Sequence, residues 1–256
     1  MADPFTDAQA WYDRAQRHIG EYRYLIDRVW RVRSKTRDDG SFQYSLCIDR
    51  ALLSQAKPIS GEVANALFQS LDNIIGAAAR AAGVDRSIKI SWPWKVEPDA
   101  DVKQKHAVRP RLVDKLKKLQ KEGLPDPWLE LIEATFAAPA TPLAHIDVMK
   151  EVSNSGKHWE LLPTITNAVG MMWMPPGESS LVPLDIPADH FSENDEFLFH
   201  EGAEIDTSAI TILIDFELVA ATRELRVEPI FAFDATSRFV ATALEKAKLL
   251  WNETAD

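Results

Sequence analysis

The stretch that decides the fold is Trp30-Arg31-Val32-Arg33-Ser34-Lys35-Thr36-Arg37, then Asp38-Asp39-Gly40, then Ser41-Phe42-Gln43-Tyr44-Ser45-Leu46-Cys47-Ile48. In the first eight residues every second position is a cation. A period of two places alternate side chains on opposite faces of a strand, and Asp-Asp-Gly is turn chemistry, so the stretch reads as a β-hairpin. Two registers compete. A two-residue Asp39-Gly40 loop sets Arg37 opposite Phe42 and Arg33 opposite Leu46, mixing charge and apolar bulk on one face. A three-residue loop with Gly40 in the left-handed conformation sets Thr36 opposite Phe42 and Val32 opposite Leu46, giving one apolar and one polar face. Such loops want glycine at the last position, so the second register is expected. Its consequence is a row of four cations, Arg31, Arg33, Lys35 and Arg37, opposite Ser41, Gln43, Ser45 and Cys47.

Outward from the hairpin the period is helical. Upstream, Trp11, Ala15, Ile19, Tyr22, Leu25/Ile26 and Val29 recur at three- and four-residue spacing behind a Thr6-x-x-Gln9 capping box. His18 sits beside this stripe as a packed histidine. Downstream, Pro58 and Ser60 open a second helix that Gly83 closes. A short apolar run, Ile88 to Trp94, reads as a strand that Pro93 confines to an edge or an end. Pro110 starts a basic helix whose narrow apolar stripe is Leu112/Val113, Leu116 and Leu119, with Arg109, Arg111, Lys115, Lys117, Lys118 and Lys121 around it. Two more helices are expected at 128–137 and 143–152. From Leu161 the period is mostly two, with strands expected at 162–173, 180–185, 195–200, 209–219 and 225–233 and a last helix from about Asp234. The expected fold is α+β. Residues 1–160 form a mostly helical region carrying the hairpin at 29–49, and residues 161–256 an antiparallel β-rich region closed by the C-terminal helix.

Composition narrows the function. The chain has 256 residues, 46% of them hydrophobic, with eight Trp and one cysteine. That composition builds a core and excludes a disulfide framework or a cysteine-based zinc site. Met1 to Thr6 has neither a basic nor an apolar leader pattern, and no run reaches the ~18 apolar residues of a membrane span, so a cytoplasmic protein with no membrane partner is expected. The net charge of −10 conceals a split. Residues 1–122 hold 22 Lys/Arg against 16 Asp/Glu, and residues 123–256 hold 7 against 23. Either the two halves complement each other inside one fold, or the basic half faces a polyanion or an acidic protein partner.

Three groups of residues could carry chemistry. The basic surface, Arg31, Arg33, Lys35 and Arg37 with Arg111, Lys115 and Lys118, has the clustered cations that anion recognition needs, although charged rows also protect strand edges from aggregation. The acidic stretch Asp185 to Asp206 holds Asp189, His190, Glu193, Asp195, Glu196, His200, Glu201 and Glu204. These are suitable metal ligands in type but not in spacing, so no metal site is expected. Ser153-Asn154-Ser155-Gly156-Lys157-His158-Trp159 reads as a helix-ending turn that presents Lys157 and His158 without phosphate-loop spacing. Nucleophile elbows, Rossmann glycines and Walker motifs are absent, so no cofactor is expected.

The order of elements resembles a broad group of uncharacterised bacterial proteins. In that group a long helix and a hairpin precede a Gly-Asp-x-x-His-Asn-Leu-Arg-Ser-x-Leu-Asp-His helix and an Asn-x-x-x-Lys-His-Arg-like turn. Gly61-Glu62-Val63-Ala64-Asn65-Ala66-Leu67-Phe68-Gln69-Ser70-Leu71-Asp72-Asn73 lines up with the first pattern, and Asn154-Ser155-Gly156-Lys157-His158-Trp159 with the second. The Arg-x-x-x-x-His spacing of the group is similar to that of HEPN-type ribonucleases, in which His moves a proton and Arg stabilises phosphorane charge. Phe68 and Asn73 stand at those two positions here, and neither can do that work. The expectation is a non-catalytic binding or regulatory module with a basic N-terminal surface. The alternative is a HEPN-like or metal-dependent nuclease or hydrolase that would use His158, His190 or His200.

Overall fold

The computed structural model describes residues 3–85, 88–93, 108–137, 143–157, 164–178, 180–187, 190–192, 194–219 and 226–254. The chain is α+β. Its elements run α1 (Thr6–Ile26), β1 (Trp30–Thr36), β2 (Phe42–Ile48), α2 (Arg50–Ala81), α3 (Val108–Lys121), α4 (Asp126–Phe136), α5 (Leu143–Lys157), β3 (Thr164–Trp173), β4 (Val182–Pro187), β5 (Glu196–Gly202), β6 (Thr211–Val219), β7 (Arg226–Val227) and α6 (Pro229–Thr254).

The hairpin has the three-residue register. Thr36 lies opposite Phe42 and Val32 opposite Leu46. Gly40 has φ 81, and Arg37 N–H donates to Ser41 O at 2.8 Å to close the loop. Asp39 fastens the turn, because its carboxylate accepts from both the amide and the hydroxyl of Ser41. Those bonds hold the Asp39 carboxyl below its usual range.

The strands form two antiparallel sheets, in the orders β1-β2-β5 and β4-β3-β6-β7. Alternation gives each sheet one apolar face. Trp30, Val32, Leu46, Ile48, Phe197 and Phe199 of the first sheet share a hydrophobic cluster with Met171, Trp173, Leu184, Ile186 and Ile212 of the second. The helices build a separate and larger core. Its centre is α2, whose buried stripe runs Leu53, Ala56, Ile59, Val63, Leu67, Leu71, Ile74 and Ala78. Around it pack α1, α5 and α6. Tyr22 on α1 meets Phe233 on α6 edge-on at 5.0 Å. Phe5 meets Trp128 of α4 and Trp251 of α6, each at 6.1 Å. Neither cluster follows the chain order. The hairpin, inserted between α1 and α2, joins the strands, and the C-terminal helix joins the helices.

Several boundaries differ from the sequence expectation. Helix α2 begins at Arg50, not at Pro58. Asp49 caps it by accepting from Leu52 N at 3.0 Å, and the apolar spacing continues through the proline. Pro58 is exposed, as is Ser54, whose carbonyl loses its helical donor there, so water can replace the missing bond. Helix α6 begins at Pro229 and takes in the residues read as a strand to 233. The Glu228 carboxylate accepts from Ile230 N at 2.9 Å and Phe231 N at 2.6 Å, satisfying donors that a strand would have needed. Thr6 forms no capping box. Its hydroxyl donates to Asp3 O, and the Gln9 amide reaches Asp13. Ile88 to Pro93 is not a strand, and Trp92 N is held instead by Asp72 Oδ1 at 2.8 Å. Residues 153–157, read as a turn, continue α5 as helix.

Candidate functional site

The basic row is built by β1 but finished by β5. On the face carrying Arg31, Arg33, Lys35 and Arg37, β2 contributes Ser41, Gln43, Ser45 and Cys47, and beyond it β5 contributes Glu196 and Glu201. Arg33 Nη1 lies 3.2 Å from Glu196 Oε2. Arg37 pairs with Glu201, which also accepts from Gln43 Nε2 at 2.7 Å.

A single irregularity makes both pairs possible. Pairing runs Cys47–Glu196, Leu46–Phe197 and Ser45–Leu198, then jumps to Tyr44–His200 and Gln43–Glu201, leaving Phe199 as an extra residue. Without this bulge Glu196 and Glu201, five positions apart, would face opposite sides of the sheet. With it they share the cation face. The same shift turns His200 inward, where its ring lies 5.9 Å from Tyr44 and 5.4 Å from Trp173. Its Nε2 is 3.0 Å from Ala203 O. His200 is thus packed among aromatic rings, while His190 is exposed.

The charge split is in part an internal complement. Among the described residues, four cations of the basic half pair with carboxylates of the acidic half: Arg23 with Asp234 at 2.8 Å, Arg33 with Glu196, Arg37 with Glu201, and Arg50 with Asp195. All lie at the surface, where such pairs contribute roughly 0–1 kcal/mol each, so they align the surfaces more than they stabilise the fold. Arg31 and Lys35 have no ion pair among the described residues. Arg31 lies over the buried Cys47, whose thiol is pushed up by burial, with Arg33 and Arg31 lowering it and Glu196 raising it.

The remaining predicted residues belong to other parts of the chain. Arg111, Lys115 and Lys118 belong to α3, which packs on α4 and sends Leu116 and Leu119 into the helical core. Lys118 faces Glu122 at 3.6 Å, and Lys115 is also engaged. Lys157 is the last residue of α5. His158, Asp189 and Glu193 lie outside the described residues. One turn before Lys157 on α5, Ser153 Oγ donates to Asn65 Oδ1 at 2.7 Å, joining α5 to α2. Phe68 and Asn73 lie on that same helix, where Asn73 Nδ2 donates to Gln69 O at 2.8 Å. Among the described residues no three His, Cys, Asp or Glu side chains are grouped to hold a metal ion, and no helix is long and apolar enough to cross a membrane. Glu196 and Glu201 are the members of the site that reading for ligand spacing assigned to a different role.

No protein-family model matches the chain, and neither a curated protein nor a solved structure matches it.

Proposed function

We propose that the protein is a non-catalytic binding module whose cation row on β1 takes an acidic partner. One observation carries this reading: the row already binds carboxylates within the molecule, through Glu196 and Glu201, and still presents Arg31 and Lys35 without an ion pair among the described residues. A face that holds two carboxylates in register has the spacing to hold more. Carboxylates are also the better match than a phosphodiester backbone. A nucleic acid lying across the sheet would run over the two glutamates, whereas a single extended chain beside β1 meets Arg31 and Lys35 without crossing β5.

The test is titration of labelled polyglutamate and of labelled RNA and DNA into the protein at several salt concentrations, with and without Mg²⁺ or Mn²⁺, reading both binding and nucleic-acid integrity. Salt-sensitive binding of polyglutamate with intact nucleic acid is expected. Cleavage that depends on added metal, or on His158, His190 or His200, would replace this reading with a hydrolase.

A further inference from the structure

The backbone of the hairpin adds a second element of recognition to the cation row. Arg37 N–H donates to Ser41 O, and Asp49 N–H donates to Val29 O. These two bonds fix the phase of the ladder. Residues 29, 31, 33, 35 and 37 turn their amides and carbonyls toward β2, so those of Trp30, Val32, Ser34 and Thr36 point to the opposite edge. No strand pairs with β1 on that side among the described residues. The edge is therefore a template four outward residues long, flanked on one sheet face by Arg31 and Lys35 and on the other by the half-buried Trp30 and Val32.

We infer that this edge is a β-augmentation site for an extended segment of another protein in which acidic residues alternate with apolar ones. The inference rests on the reading of the basic face as a binding surface and names its partner class. A segment paired with β1 would satisfy the outward amides and carbonyls. Its acidic side chains would fall on the face of Arg31 and Lys35, and its apolar ones would extend the sheet face that begins with Trp30 and Val32. A second copy of this chain is a poor occupant. Edge-to-edge pairing of β1 with itself sets two cation rows against each other on one sheet face, and like charges directly opposite are destabilising. The arginine and lysine row thus rejects self-pairing and selects an acidic strand with the same side chains.

The experiment compares wild-type protein with Ser34→Pro by fluorescence anisotropy, using a labelled peptide of alternating glutamate and valine, the same peptide with alternate backbone amides N-methylated, and labelled polyglutamate. Ser34 is exposed and its amide points outward, so proline removes an edge donor without removing a bond to β2. The expected result is a loss of at least about tenfold in affinity for the alternating peptide in Ser34→Pro, and a similar loss for the N-methylated peptide on the wild type. An unchanged thermal midpoint shows that the variant is folded, and the N-methylated peptide reports independently of it. If the wild type binds polyglutamate and the alternating peptide, but neither Ser34→Pro nor N-methylation weakens the second, the edge is not the site while the basic face still stands. If the wild type binds neither at low salt, both fall. Binding of a single-stranded oligonucleotide as tight as that of the peptide and indifferent to Ser34→Pro also overturns the inference.

Discussion

Arg33 and Glu196 are 163 residues apart in the chain and 3.2 Å apart in space, joined across β2 on one face of a three-stranded sheet. The pair, with Arg37 and Glu201 beside it, means that the basic face carries its own carboxylate competitors. Replacing Glu196 and Glu201 with Gln keeps their size and removes their charge. The double variant is expected to lose no more than about 1–2 kcal/mol of stability, as for two exposed pairs, while its affinity for polyglutamate rises severalfold at low salt. Denaturant unfolding and anisotropy check the two parts separately. A large loss of stability with no gain in binding would mark the glutamates as purely structural.

The turn provides a direct test of register. Gly40 has φ 81, and a Cβ added there meets nothing within 4 Å. Gly40→Ala therefore costs only backbone strain, about 1–2 kcal/mol. The loss should appear in the denaturation midpoint with the slope unchanged. A neutral Gly40→Ala would contradict the three-residue loop.

Tyr22 links α1 to α6 and is fully buried, its hydroxyl without a hydrogen-bond partner among the described residues. Burial pushes its ionisation well above the ordinary phenol value, and Glu228 pushes in the same direction. A raised folded value means that the stabilisation is complete below the unfolded pKa of about 10 and is lost as pH rises beyond it. Tyr22→Phe is expected to change neutral-pH stability by about 0–2 kcal/mol in the stabilising direction and to move alkaline unfolding to higher pH. Circular dichroism across the alkaline range measures both. An unshifted alkaline transition would remove Tyr22 from the account.

Cys47 is buried beneath the cation row, and burial raises its thiol pKa. Labelling by a small thiol reagent at mildly alkaline pH is expected to be at least about tenfold slower in the native protein than in denaturant. Fast native labelling would show that the row does not cover the thiol.

The hairpin was legible because its information is local. Strict alternation and one glycine suffice to choose a register, and the cation row follows from that register. The pairing of β2 with β5 was not legible. It joins residues more than 140 positions apart, and the bulge at Phe199 breaks the alternation that would have shown which face Glu201 occupies. Glu196 and Glu201 therefore read as metal-ligand types rather than as partners of Arg33 and Arg37. Two helix starts were hidden by competing signals. Pro58 looks like a first-turn proline, but Asp49 already caps the helix. Ile230, Phe231 and Phe233 look like a strand until the carboxylate of Glu228 is seen to satisfy the amides behind them.

The most direct measurement of the central claim is the affinity of labelled polyglutamate for wild type and for Arg31→Glu/Lys35→Glu, at low and at physiological salt. Both residues are exposed and lack an ion pair among the described residues, so the fold should tolerate the exchange. Measurable wild-type binding is expected, weakening steeply with salt and abolished by the charge reversal, with the thermal midpoint little changed. Binding that survives the reversal, or no wild-type binding even at low salt, would contradict the claim.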